Sequence, residues 1–394
     1  MPWNSSVGLM PVAQIDNNSC APACVQMILS SMGMTRLVAT DVQPVFTRSI
    51  QNIMASTYGI GSPIGVAYSI NRFNTGGFTS PNVPPPLIEY RPLETTTPYE
   101  ACATIIDGLV NHRAASAVFA LRATHWIVAY GAEGEGNPAD GAFSLKTLLI
   151  CNPDNGRYGG NPRAPTPRPE NPDLSIEEIT YASFISTYFT GCLDGQLIDA
   201  RFTGKDGVFI AVTSSRAAPA PGLLPPYPQY PRPYQALSIQ ASVDGLLKAG
   251  LDPALDGAEQ GPVRRVLRGD RNTYYYLVPF ALRDKTGQVI RLDANGAYAG
   301  RAFGSEQYVR LLFDGDGAID STKTFAAENG LALDPSKLQR DETLLWMPSA
   351  ESASPYRPFD LVTHNDDKKF YVSQGGFVST ALHDRGTGDT LRVG

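Results

Sequence analysis

A chain of 394 residues, 42 % hydrophobic and 18 % charged with the signs mixed, has the make-up of a globular protein long enough for two domains, which excludes a disordered or fibrous chain. A formal charge of −6 with no basic stripe excludes a nucleic-acid binder that works by neutralising phosphates. No run reaches the roughly 18 apolar residues of a membrane span, and the opening MPWNSSVGLMPVAQ lacks the basic start and apolar stretch of a secretory signal.

The chain is therefore expected to be made in the cytoplasm without a leader, any export following a leaderless route. Five cysteines (Cys20, Cys24, Cys102, Cys151 and Cys192) are too sparse for a disulfide framework and too odd in number to pair fully, which favours a reducing compartment. A single bridge such as Cys151 to Cys192 stays open.

In chain order, QIDNNS is a polar, turn-forming run that ends at Cys20, where CAPACVQMILSSMG begins a helix with Cys20, Cys24, Met27 and Ile28 on its apolar side and Gly33 as its stop. Residues Asp41 to Tyr58 and Ser62 to Phe73 read as further helices. TPYEACATIIDGLVNHR carries Thr97 as N-cap, Pro98 at the first helical position and Glu100 to complete a capping box. Strands follow in ASAVFAL, HWIVAYG, LKTLLICN, LIDARF and GVFIAVT, with YASFISTYF as a short helix. Helices followed by strands predict an α+β domain with an antiparallel sheet over residues 1–213. The stretch from Asn152 to Asp173 is predicted as a long surface loop within it.

Residues 214–235 hold prolines at a density that no helix or interior strand tolerates, which predicts an extended linker. Beyond it, residues 236–394 are predicted as a smaller α+β accessory domain with an internal repeat. YYLVPFALRDKTGQVIRLDANGAYAGRAF and PFDLVTHNDDKKFYVSQGGFVSTAL share their pattern, Ile290, Leu292, Gly296 and Tyr298 matching Phe370, Val372, Gly376 and Val378. Neither copy gathers catalytic residue types. FDGDGAID is similar to a calcium loop but lacks its third acidic position and its downstream glutamate, so a turn is expected.

The chemistry concentrates in the first domain. A cysteine in the first turn of a helix lies where the helix dipole and unpaired N–H groups stabilise a thiolate. His125, at the head of an apolar strand, is the best placed base among the four histidines, and Asn152 stands where the next strand enters a turn, suited to accept the imidazole N–H. Gln14, six residues before Cys20, can donate to an oxyanion together with the Cys20 backbone N–H. Each part alone has a plainer reading: core cysteine, structural strand histidine, Asn-Pro turn. CAPAC has no second cysteine pair at ligand spacing, so Cys24 is expected in the core, and neither metal nor cofactor is expected.

The ordered set QIDNNSCAPA, HWIVAYG, ICNPDNG and ITYASFISTYF resembles the papain-like cysteine peptidases, most of all the bacterial branch that includes the bacteriocin-leader peptidases and the papain-like avirulence proteases. The resemblance covers residues 1 to 213. It implies a papain-like domain with Gln14 as oxyanion donor, Cys20 as nucleophile, His125 as general base and acid, and Asn152 as orienter, Asp154 being the alternative. Ala21 and Pro22 depart from the family's usual residues without removing a reacting group, and the insertion after Asn152 has no counterpart. A peptide or protein substrate is implied, cleaved through an acyl-enzyme thioester, and the accessory domain would dock substrate or autoinhibit. An amidase or deamidase using the same groups, or a binding or inhibitory module on an inactive scaffold, are the alternatives.

Overall fold

The computed structural model describes residues 2–16, 19–34, 42–54, 61–74, 88–122, 124–154, 175–192, 207–214, 239–271, 273–313, 317–365, 368–384 and 390–391. LIDARF, the stretch 155–174 and all but Ser214 of the predicted linker lie outside them. The chain is α+β and packs as two compact units, Met1–Pro153 with Pro167–Pro228, and Asp154–Thr166 with Gln229–Gly394. Asp154 thus groups with the second unit rather than with the expected domain 1–213: its Oδ2 accepts the Ala353 N–H at 2.7 Å and its carbonyl accepts from the Arg357 guanidinium.

The first unit runs β1 (Pro2–Ser6), α1 (Cys20–Ser31), α2 (Gln43–Met54), α3 (Pro63–Asn74), β2 (Arg91–Thr95), α4 (Pro98–Asn111), β3 (Ser116–Ala120), β4 (His125–Asn137), β5 (Ala142–Cys151), β6 (Ile176–Thr180), α5 (Tyr181–Thr187) and β7 (Phe209–Thr213). Its antiparallel sheet has the order β2, β7, β3, β4, β5, β6. The long β4 spends its first half against β3 and its second half against β1, with Ser116 opposite Ala129 and Pro2 opposite Glu135. Strand β1 can lie there because Trp3 faces Gly134, where any Cβ would collide with the indole, and the ring then stacks edge-on against Phe143 at 5.5 Å.

Helix α1 is buried almost end to end, from Cys20 to Ser30, and packs against β4, β3, α2 and α3. Pro22 sits in its first turn, where a missing N–H breaks no helical bond. Thr97 caps α4 by accepting the Glu100 N–H at 3.3 Å. Trp126, fully buried, stacks on Phe119 across the β3–β4 pair and donates its indole N–H to the Gly61 carbonyl at 3.0 Å, fastening the head of β4 to the segment that leads into α3.

The second unit comprises α6 (Ile239–Lys248), β8 (Glu259–Gln260), β9 (Arg264–Arg268), β10 (Thr273–Ala281), β11 (Thr286–Leu292), β12 (Tyr298–Ser305), α7 (Glu306–Arg310), α8 (Gly317–Glu328), β13 (Leu338–Arg340), β14 (Leu344–Trp346), β15 (Phe359–His364), β16 (Lys368–Ser373) and β17 (Val378–Ser379). Of the FDGDGAID stretch, residues 314–316 lie outside the described residues, and Gly317 to Asp320 form the first turn of α8.

Strands β10–β12 and β15–β17 are antiparallel meanders, and Leu292 faces Tyr298 as Val372 faces Val378. Gly296 and Gly376 occupy the same left-handed turn position, at φ 80° and 78°. A helix precedes each meander: Val243 of α6 joins the core of Val278, Ile290 and Leu292, and Ala318 of α8 joins that of Val362, Phe370 and Val372. After each helix comes a glycine of positive φ, Gly250 or Gly330, and then an Asp-Pro turn in which Asp252 or Asp334 accepts the N–H two residues on. The copies meet through β9 and β14, which pair in parallel.

Candidate active site

His125 and Asn152 are brought together by the β4–β5 ladder. Strand β5 ends at Cys151, paired with Val128, so Asn152 is the first residue past it, beside the head of β4. His125 Nε2 lies 2.8 Å from Asn152 Oδ1. An amide oxygen can only accept, so Nε2 carries the hydrogen and Nδ1 keeps the basic lone pair. The Asn152 backbone N–H is itself held by the Ser175 carbonyl at 2.8 Å.

The turn that delivers His125 is strained. Leu121 and Arg122 have φ of 51° and 61°, in the left-handed region that side chains with a Cβ disfavour. It is held by the Leu121 N–H donating to the Tyr188 carbonyl at 2.7 Å and by Thr124 Oγ1 donating to the Leu121 carbonyl at 2.7 Å. Tyr188 is fixed in turn, its hydroxyl bonding both carboxylate oxygens of the buried Glu177 at 2.7 and 2.8 Å. Neither Glu177 nor Tyr188 carries a motif; only the charge at Glu177, inside an otherwise strand-like run, marks the sequence there.

Gln14 is tied to the same place by its backbone, whose N–H donates to the Pro153 carbonyl at 2.9 Å. Between Gln14 and α1 the Ser19 N–H and Oγ both donate to Asp16, at 3.2 and 2.7 Å. Ser19 is the N-cap, its carbonyl accepting the Ala23 N–H at 3.0 Å. Cys20 is the first residue of α1, the helix that packs on β4, the strand headed by His125. Of the four residues only Cys20 keeps accessible surface, 8 %, while Gln14, His125 and Asn152 have none.

The Asp154 carboxylate accepts the Ala353 N–H through Oδ2 at 2.7 Å. All five cysteines are buried and outside any disulfide. Burial pushes the Cys24 thiol well up, and the neighbouring Cys20 and Cys151 add to the rise, so Cys24 stays protonated one turn below the helix start. Burial raises Cys102 likewise. No cluster of three or more metal-ligating side chains occurs among the described residues, and no described helix is long and apolar enough to cross a membrane.

One functional candidate escaped the sequence reading. Gln43, at the start of α2, is fully buried and hydrogen-bonded to the residues on both sides of Gln14. The only signal was a glutamine before a proline at a helix start, which has no specificity.

Compared with family models, with curated proteins and with solved structures, the chain matches none.

Proposed function

We propose that the first unit is a thiol hydrolase of papain-like design that cleaves peptide (amide) bonds through an acyl-enzyme. The observation that carries this reading is the fully buried hydrogen bond from His125 Nε2 to Asn152 Oδ1, which leaves Nδ1 as the base, in a unit where a helix begins with a cysteine.

In this mechanism His125 Nδ1 takes the proton of the Cys20 thiol, and the thiolate is favoured by the positive end of the α1 dipole. The sulfur attacks the carbonyl carbon, a C–S bond forms, and the carbonyl π electrons move to oxygen. The oxyanion accepts hydrogen bonds from the Gln14 amide and the Cys20 N–H. Collapse breaks the C–N bond, and the imidazolium returns its proton to the leaving amine. Water, deprotonated by His125, then attacks the thioester; the carboxylic acid leaves and Cys20 regains its proton.

Acid quenching during incubation with a mixed peptide pool tests the reading. Mass spectrometry should find an acyl group on Cys20, released by hydroxylamine and missing from Cys20→Ala and His125→Ala. Peptides left uncleaved, with no such adduct on a well-folded protein, would favour the binding-module alternative. The second unit, with no cluster of three or more metal-ligating side chains among its described residues, is assigned substrate docking or autoinhibition in this scheme.

A further inference from the structure

We infer that Gln43 is a positioning residue for the oxyanion site, fixing where Gln14 presents its amide to the substrate. The inference rests on the thiol-hydrolase reading above. Gln43 is fully buried at the first turn of α2. Its Nε2 donates to the Ala13 carbonyl at 2.8 Å and to Gln26 Oε1 at 3.1 Å, and its Oε1 accepts the Ile15 N–H at 3.1 Å. Those backbone groups flank Gln14, whose own N–H donates to the Pro153 carbonyl at 2.9 Å. Gln43 therefore grips residues 13 and 15 while Pro153 holds the residue between them.

The shape of the side chain matters here. A carboxamide offers donors and an acceptor in one plane, so it can pair with an N–H and a carbonyl of the same segment as a neighbouring strand would. Glutamate would lose both donors and set an oxygen against the Ala13 carbonyl; methionine would lose every bond. The link to Gln26 extends the grip to α1, the helix that begins at Cys20, so one side chain sets Gln14 and the nucleophile's helix against each other. An oxyanion donor acts only within a few tenths of an ångström of its correct place, which makes such a clamp more than a packing contact.

Two reactions of the full-length protein separate this role from a structural one. Transfer of the acetyl group of p-nitrophenyl acetate to Cys20 passes through a tetrahedral oxyanion, whereas alkylation of Cys20 by iodoacetamide displaces iodide at a saturated carbon and forms none. For Gln43→Met we expect acetylation to fall at least tenfold while alkylation stays within about twofold of wild type. Gln14→Ala should cost about 10²–10³-fold in acetylation, and adding Gln43→Met to it should cost nothing further, since a clamp acts only through the residue it places. If Gln43→Met does not fold, Gln43→Glu, which keeps the length and the Ile15 acceptor, should show the same split. Acetylation that needs His125 and Gln14 but ignores Gln43 would overturn the clamp and leave the enzyme reading intact. Equal losses in both reactions, additive losses in the double variant, or failure of both Gln43 variants to fold would also overturn it. Acetylation of Cys20 indifferent to His125 would sink the enzyme reading itself.

Discussion

The two units use polar side chains in different ways. In the second unit the Asp-Pro turn occurs twice, at Asp252 and at Asp334, each followed by a meander with the same register and the same turn glycine. Asp252 also takes Gln288 at 2.8 Å and Arg301 at 2.6 Å, while at the second copy the Asp334 N–H donates to His364 Nε2 at 3.1 Å. A polar device that recurs at equivalent points of a duplicated fold belongs to the fold. In the first unit Gln43, Gln26, His125, Asn152 and Glu177 are fully buried, occur once, and bear on two short stretches, Ala13 to Cys20 and Leu121 to His125. Hydrogen bonds compensate that burial, and holding a reactive site is the role proposed for them.

The largest effect expected from breaking the contrast is on chemistry. His125→Ala should slow acyl transfer to Cys20 by about 10²–10⁴-fold, the usual worth of a general base, and, by orphaning the buried Asn152 Oδ1, should also cost about 1–3 kcal/mol of stability. Asn152→Leu should act on both properties: the imidazole loses its fixed tautomer, and a buried N–H left unsatisfied costs about 1–3 kcal/mol of stability. Its ratio of activity loss to stability loss, read from acylation rates and urea unfolding, should far exceed that of substitutions at the turn glycines of the second unit.

The turn glycines of the second unit should answer only in stability. Gly296→Ala and Gly376→Ala each force a Cβ into a left-handed turn at a cost of about 1–2 kcal/mol. Gly296 should be the worse, because its Cβ would come within 2.5 Å of Ser242 Oγ, against 3.2 Å to Ser321 Oγ at Gly376. Neither change should alter Cys20 acylation.

The smallest effect concerns acid. Burial alone would raise the Asp252 carboxyl, but hydrogen bonds from Gln288 and the Ala254 N–H, together with the Arg301 guanidinium, outweigh it and hold the group below its usual range. A depressed carboxyl stabilises the fold above its unfolded pKa of about 3.9 and ceases to as pH falls through its folded value. Asp252→Asn should therefore lower stability by about 1 kcal/mol at pH 7, a partly exposed ion pair being worth no more. The difference from wild type should shrink below about pH 4, as thermal melts across that range would show.

Much of this was legible in the chain, and the failures have physical causes. The α1, α4 and β4 starts carry turn, cap and periodicity signals, and the reacting residue types stand at element ends, where sequence is most informative. The duplicated meanders were visible from Gly296 and Gly376; the Asp-Pro turns in LDPAL and LDPSKL would have extended the repeat and were passed over. Strand β1 was missed because its alternation, half-buried Trp3 and Ser5 between exposed Pro2, Asn4 and Ser6, is weakly apolar and depends on a glycine 131 residues away. The Leu121–Arg122 turn has no glycine or asparagine to announce its left-handed backbone. Gln43 was invisible for a deeper reason: its partners are mostly backbone atoms some thirty residues upstream, and no spacing rule encodes a bond to another segment's main chain.

The most direct test of the central claim is the rate and site of modification by a limiting peptidyl chloromethyl ketone, read by mass spectrometry on wild type and His125→Ala. The account predicts a single adduct on Cys20, with Cys24, Cys102, Cys151 and Cys192 untouched, forming at least a hundredfold more slowly without the imidazole. Slow labelling spread over several cysteines, or labelling of Cys20 that ignores His125, would contradict it.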